Sequence, residues 1–383
     1  MLNRLRIRLC GLWRQARHAK ALAGKGLGAQ AIDIVRLRIG PGRLGASEYY
    51  SYGVYDDRRY SLAQKREFVG WRGNARIDAI LNANDWRAIA NDKLLFAHLM
   101  DGLGVARAEI RAVYTRTGRG IGNAQRLTTV ADALDYLRNV APYPLFIKPI
   151  VGSYGRGALA CTDYAADTDA VILANGKQRR LDDLASDFEF SPYHGFMFQD
   201  LLTPHPEIAR ICGPRLSTVR VIMLMVDGGP VVHSAVWKVP VGDNMTDNFA
   251  HGEPGNLLGH VDVGNGRIVR VIQGTGFERE QATIHPDTGA CLSGITLPQW
   301  DEVVRLCTVG ATALPGLGFQ HWDVAFCPSG PVALEINVEG ALDLHQLTGF
   351  TGALSTRLED EMGHRQSRLA AEKQAAHSLT RSR

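Results

Sequence analysis

Trp322-Asp323-Val324-Ala325-Phe326, then Cys327-Pro328-Ser329-Gly330, then Pro331-Val332-Ala333-Leu334-Glu335-Ile336-Asn337 are two apolar runs flanking a turn signal. The pattern predicts a β-hairpin. Pro328-Ser329-Gly330 suits a three-residue loop closed by Gly330 in the left-handed region. That loop pairs Cys327 with Pro331 and sets Asp323 directly opposite Glu335. Asn337, two residues further on, shares their face. Two carboxylates side by side repel unless a cation lies between them. Hard oxygen ligands suit Mg²⁺, which keeps few protein ligands and completes its shell with phosphate oxygens and water. Asp323, Glu335 and Asn337 are therefore candidate metal ligands; a solvated hairpin face is the alternative. Pro331 lacks an N–H and costs the ladder one bond.

Upstream, Phe146-Ile147-Lys148-Pro149-Ile150-Val151 is an apolar strand carrying one lysine, followed by Gly152-Ser153-Tyr154-Gly155-Arg156-Gly157. Glycines let successive N–H groups converge on an anion, and a lysine at a strand end adds a point charge. The segment is not a Walker A loop, since no Gly-Lys-Ser/Thr follows; a plain hairpin turn is the alternative. After the apolar Phe196-Met197-Phe198, the backbone of Gln199-Asp200-Leu201-Leu202 is placed to pair with an adenine edge, and Glu207 to take ribose hydroxyls; a linker between lobes is the plainer reading. Arg220 is the single charge in Val219–Val226, and Lys238 holds a comparable place after Ala235-Val236-Trp237. A buried guanidinium needs an anion. The partner is either a carboxylate on a neighbouring strand or a phosphate or carboxylate substrate.

The chain has 383 residues, 45% hydrophobic and 21% charged, an ordinary globular composition with room for two or three cores. A formal net charge of +4 is small for this length and does not imply a nucleic-acid partner. Six scattered cysteines without a C-x-x-C pair fit free thiols in a reducing cytoplasm. No apolar run approaches the roughly 20 residues of a membrane span, and no signal peptide is evident. His251 and His260 fall in a Gly-rich loop, as turn or substrate-contact residues.

Four segments follow. Residues 1–90 read as a basic N-terminal helix and a small helical subdomain, with Leu5, Leu9, Leu12 and Ala16 at helical spacing. The helix either packs on the domain behind it or rests on an anionic membrane surface through residues 1–26. Residues 91–200 alternate helix and strand, with Asp92 as an N-cap. Residues 201–350 turn to long antiparallel strands, including a hairpin about Asp227-Gly228-Gly229-Pro230. Residues 351–383 are a polar helix and tail.

In this order the motifs resemble the ATP-grasp superfamily, and more narrowly its sugar-transfer-associated family, related to α-L-glutamate ligases. The resemblance rests on Asn91-Asp92-Lys93, Lys148-Pro149 with Gly152, Gly155 and Gly157, and Ser217-Thr218-Val219-Arg220. It continues through Asp247-Asn248-Phe249, His285-Pro286-Asp287-Thr288-Gly289, Trp322-Asp323 and Glu335-Ile336-Asn337. It implies an α+β fold of two lobes enclosing ATP. Lys93, Lys148, Gly152, Ser153, Gly155 and Gly157 would hold the nucleotide from the first lobe. Gln199, Asp200, Leu201 and Leu202 would be the adenine hinge, and Glu207 the ribose contact. Arg220 and Lys238 would serve catalysis, and Asp323, Glu335 and Asn337 would bind Mg²⁺, or Mn²⁺ in its place. The implied activity is an ATP-dependent ligase joining a small-molecule carboxylate to an amine or sugar-linked acceptor through an acyl-phosphate, in cell-surface polysaccharide or sugar-precursor modification. A sugar kinase and a non-catalytic nucleotide-binding module of a polysaccharide assembly complex are the alternatives. His321 stands where many such ligases carry an arginine two residues before the metal aspartate.

Overall fold

The computed structural model describes residues 2–152, 155–189, 195–244, 246–253, 255–340 and 342–381. Two seven-stranded sheets organise them. The first takes β1 (Ile110–Tyr114), β2 (Gln125–Leu127), β3 (Leu145–Pro149), β4 (Leu159–Ala165), β5 (Ala170–Leu173), β6 (Gln178–Arg180) and β7 (Phe196–Asp200), in the order β2-β1-β7-β3-β4-β5-β6. The β1–β2 pair is parallel and the remaining pairs are antiparallel. Alternation along β3 and β7 sorts their side chains. Leu145, Ile147, Phe196 and Phe198 enter a core closed by the helices Val130–Asp135 and Leu181–Glu189. Phe146, Lys148, Met197 and Gln199 take the opposite face.

The second sheet takes β8 (Thr218–Val226), β9 (Gly229–Val239), β10 (Leu257–Val261), β11 (Ile268–Gln273), β12 (Glu280–Gln281), β13 (Phe319–Cys327) and β14 (Gly330–Asn337). Its order is β12-β11-β10-β9-β8-β13-β14, antiparallel throughout. One face carries Val219, Val221, Trp237, Trp322 and Val324 against the helix Trp300–Thr312. The approach is close: a Cβ on Gly310 would lie 2.2 Å from the Trp322 ring. The other face carries the charged residues and is roofed farther along by the helices Asp343–Gly349 and Thr356–Arg381.

The hairpin differs from its sequence reading in an instructive way. Cys327 pairs with Gly330, so the loop is the two residues Pro328-Ser329, and Val324 pairs with Ala333. A register shift before the next pair then brings Asp323 opposite Glu335 after all. Leu334 is the extra residue of this bulge.

Residues 2–39 form two helices, Leu2–Ala23 and Leu27–Ile39, parted near Gly24, whose φ of 75° is left-handed. Tyr49, Tyr50 and Tyr52 pack with Val236, Leu258 and Ile272 of the second sheet, so the helical region shares a core with that lobe. His260 lies on β10 rather than in the preceding loop, which ends earlier than its glycines suggest. Around Asp287-Thr288-Gly289 the pairing is a single bridge, Ile284 to Cys291. The lobes are stitched by a parallel bridge between Arg107 and Ala333 and by the Ala333 N–H donating to Ala106 O at 2.9 Å. The helix Lys93–Leu103 lies between them: Leu94 and Ala97 face the first sheet, Phe96 and Met100 the second core.

Candidate active site

The helix Lys93–Leu103 begins where Asp92 caps it, its Oδ1 accepting from the N–H groups of Leu94 and Leu95 at 3.0 Å each. Arg119 grips the same carboxylate at 2.8 and 3.0 Å. This fixes Lys93, whose N–H donates to Ile150 O at 3.0 Å and whose Nζ donates to Gly152 O at 2.7 Å. The same Nζ lies 3.6 Å from Glu335 Oε2. Lys148, on the free face of β3, enters the same space. Burial lowers its pKa to about 8, with Glu335 pulling it up and Lys93 pushing it further down.

The floor is a row of directly paired residues. Val236, Arg220, Asp323 and Glu335 are successive partners across β9, β8, β13 and β14. Arg220 donates to both Asp323 oxygens, Nε to Oδ1 at 2.9 Å and Nη2 to Oδ2 at 2.7 Å. Lys238 Nζ stands 3.4 Å from Asp323 Oδ2 and 3.5 Å from Asp247 Oδ1. Burial alone would push the Asp323 carboxyl up; Arg220 and Lys238 outweigh it and hold the group well below the usual carboxylate range. Asn337 Nδ2 donates to Glu335 Oε1 at 3.2 Å. Buried His321 is pushed down to about 3 by desolvation and by Arg220, so it is neutral at ordinary pH.

Lys93, Lys148, Gly152, Gly155, Lys238, Asp323 and Glu335 line one open cleft with a cavity volume of about 130 Å³. A smaller adjoining cavity is lined by Gln199 with Met197, Ala108, Ile110 and Leu334, and again by Lys93 and Lys148. Arg220 lies beneath, behind Asp323. Gly157, with φ 75°, packs beside Pro149. Ser153 lies outside the described residues.

The second half of the expected hinge is not brought to these cavities among the described residues. The Asp200 side chain pairs with Arg111 at 2.6 and 2.7 Å. Leu201 N donates to Pro144 O at 3.3 Å, and Leu202 packs with Ala325, Val332 and Leu334. Glu207 is exposed in the first turn of the helix Pro206–Cys212, its N–H held by His205 Nδ1 at 3.3 Å.

Lining residues that carry no role in the sequence reading include Arg156, Thr218, Asp247, Asn248 and Leu334. Asp247 Oδ2 accepts from Thr218 N at 2.8 Å and Thr218 Oγ1 at 2.5 Å, so the loop before β10 is anchored beside Lys238. The signal was present in Asp247-Asn248-Phe249, but nothing local told where the loop would fold.

The charge pattern tests the fit to a nucleotide and a cation. Lys93, Lys148, Arg156 and Lys238 line the cleft against Asp247, Asp323 and Glu335. Cations exceed carboxylates even before Arg220 is counted, which suits an anionic ligand. Among the described residues no group of three or more His, Cys, Asp or Glu side chains is arranged to hold a metal ion. A cation held by Asp323, Glu335 and Asn337 would therefore complete its shell with ligand oxygens and water.

Two lobes with a lysine-rich, glycine-looped roof and an acid-bearing hairpin floor are the arrangement of an ATP-grasp protein. The family model described as sugar-transfer associated ATP-grasp matches residues 73–360, and the chain belongs to that family. No curated protein matches. Solved structures with a similar fold include D-alanine–D-alanine ligase from Bacillus anthracis, at 13% identity over 76% of this chain and 72% of that one, TM-score 0.39. Biotin carboxylase from Campylobacter jejuni gives 10% identity over 76% and 50%, TM-score 0.42. L-amino acid ligase from Bacillus licheniformis gives 11% over 66% and 44%, TM-score 0.38. This chain thus spans about half the length of the latter two.

Proposed function

We propose that the protein is an ATP- and Mg²⁺-dependent ligase that joins a small-molecule carboxylate to an amine or sugar-linked acceptor. The observation that carries this is the cationic cleft between the lobes, floored by paired Asp323 and Glu335. In this class of reaction a substrate carboxylate oxygen takes the γ-phosphoryl group of ATP and ADP leaves. The acceptor nitrogen then attacks the acyl carbon, and phosphate leaves with the bond electrons. A divalent ion, held by Asp323, Glu335 and Asn337, supplies charge neutralisation between the reacting anions. Lys93, Lys148 and the amides of the glycine loop fix the phosphates, and the base lies toward Gln199. Lys238, with Arg220 behind it, faces the oxygen on which charge develops. Mn²⁺ suits the same oxygen ligands.

The test is ADP release over a panel of acids and amines, with hydroxylamine replacing the amine. Turnover that needs both substrates, with a hydroxamate formed on trapping, is expected; Glu335→Ala abolishes the Mg²⁺-dependent turnover while the circular dichroism is unchanged. A phosphorylated sugar product would instead make the protein a kinase. Nucleotide binding without any turnover would make it a binding module.

The family description ties this chemistry to sugar transfer, which supports a role in cell-surface polysaccharide or sugar-precursor modification. We further propose that the N-terminal helices rest on an anionic membrane surface, which would place the protein at the inner face of that membrane. No described helix is long and apolar enough to cross one. Leu27–Ile39 buries Gln30, Asp33 and Leu37, yet exposes Ile32, Val35 and Ile39 on the opposite face, near Arg36 and Arg38. Trp13 on the preceding helix is also exposed, under Arg17. Apolar side chains among basic ones suit a lipid interface.

A further inference from the structure

Three arginines converge on one aromatic ring at the far end of the sheet face that floors the cleft. Arg279, Arg270 and Arg59 place their guanidinium carbons 4.3, 4.6 and 5.3 Å from the Phe350 ring centroid. They come from separate places: Arg270 from β11, Arg279 from the turn before β12, and Arg59 from the loop ahead of the helix Leu62–Arg66. Among the described residues none of the three reaches a carboxylate at ion-pair distance. The aromatic ring attracts each cation, yet leaves three like charges facing one another. Burial, with repulsion from Arg59 and Arg270, brings Arg279 down to about 10 despite the neighbouring Tyr60.

Two other polar groups at this place lack partners. The Tyr60 hydroxyl is buried beside Arg59 and meets no hydrogen-bond partner of acceptable geometry. His260, the register partner of Arg270, has a buried Nδ1 without a partner. Phe350 itself sits at φ 54°, ψ 30°, a left-handed conformation that is unfavourable for a bulky residue. A left-handed aromatic and three guanidiniums without a carboxylate, Arg59 exposed and the other two half-buried, make a cationic spot that an anion in solution can reach.

The position is tied to the cleft by register. Arg270 pairs with His260, His260 with Val236, and Val236 with Arg220. Three strand spacings separate the two arginines along the sheet, about 14 Å.

We propose that Arg59, Arg270 and Arg279 form a second anion site, outside the nucleotide cleft, for a multiply charged phosphate group. Planar guanidiniums present paired donors to phosphate oxygens, and three of them match a phosphate monoester better than a single carboxylate. The Tyr60 hydroxyl donates a further hydrogen bond. The phosphate has two sources, the terminal ester of a phosphorylated second substrate or free inorganic phosphate.

The experiment titrates inorganic phosphate, and separately glucose 1-phosphate, onto the full chain saturated with ADP and Mg²⁺, following heat release and melting temperature. Each titration is repeated without nucleotide, and the readout is the component that depends on Arg270, so failure of the ATP reading does not mask the result. Binding that weakens at least tenfold in Arg270→Gln and in Arg59→Gln, with ADP affinity unchanged, supports the site. Arg279 is left intact, because its guanidinium also donates to Leu347 O and Tyr52 O at 3.3 and 3.4 Å. Ester binding tighter than phosphate, at the same site, assigns it to a substrate; phosphate binding that excludes the ester assigns it to the free ion. Equal binding in the wild type and both variants, or no binding to the wild type, overturns the proposal.

Discussion

Asp323 and Glu335 face each other across one rung, yet their surroundings differ. Asp323 is enclosed and doubly bonded by Arg220, whereas the Glu335 side chain is 31% exposed and looks toward Lys93. Deleting Arg220 leaves a buried carboxylate with Lys238 as its nearest cation. Arg220→Ala is therefore expected to cost about 3 kcal/mol in urea unfolding, and Arg220→Ala with Asp323→Ala to recover part of that loss. Lys148 gives a pH test. Its folded pKa of about 8 lies below the unfolded value, so the unfolded chain holds more protons above that pH, and stability rises as pH climbs through the window toward the unfolded value. Phosphate attraction moves the other way, since a neutral Lys148 no longer draws an anion. ATP affinity measured from pH 7 to about 10 should fall above pH 8, and Lys148→Arg should flatten that part of the profile.

Among the elements, the bulged hairpin shows how far the sequence could be read. The alternation of Asp323, Glu335 and Asn337 was legible because a strand's period is two. The turn length was not, since Pro328-Ser329-Gly330 suits loops of either size. Two departures cancelled: the loop is one residue shorter, and Leu334 restores the register. The bulge has its own effect. In a regular strand neighbours face opposite sides, but here Leu334 and Glu335 both line the cleft. Leu334 also lines the cavity at Gln199. Leu334→Ala is expected to weaken ATP binding about tenfold, the worth of a partly buried leucine contact, without altering the dependence on Mg²⁺; isothermal titration at several Mg²⁺ concentrations checks this. Asp247 was legible as part of a motif but not as a lining residue, for the opposite reason. Its hydrogen-bond partner Thr218 stands 29 residues away, and its loop carries no periodic signal.

In the whole molecule, the helical N-terminal region could be read as helix but not placed. Its aromatic residues gave no hint that Tyr49 and Tyr50 close the core over Val236 and Leu258, because that pairing spans about half of the chain. The packing also leaves the second face of Leu27–Ile39 open, which gives the membrane proposal its test. Co-sedimentation with vesicles containing phosphatidylserine should be strong at low salt and weaken at 0.5 M NaCl, about five times the ionic strength at which the Debye length is 10 Å. Ile32→Ser with Val35→Ser should reduce it further, and binding equal to that on neutral vesicles would refute the proposal. The stitch between Ala106 and Ala333 bears on traffic through the cleft. It ties the acid-bearing hairpin to the opposite lobe one residue from Leu334 and two from Glu335, so any parting of the halves would hinge along that spine and displace the acids beside it least.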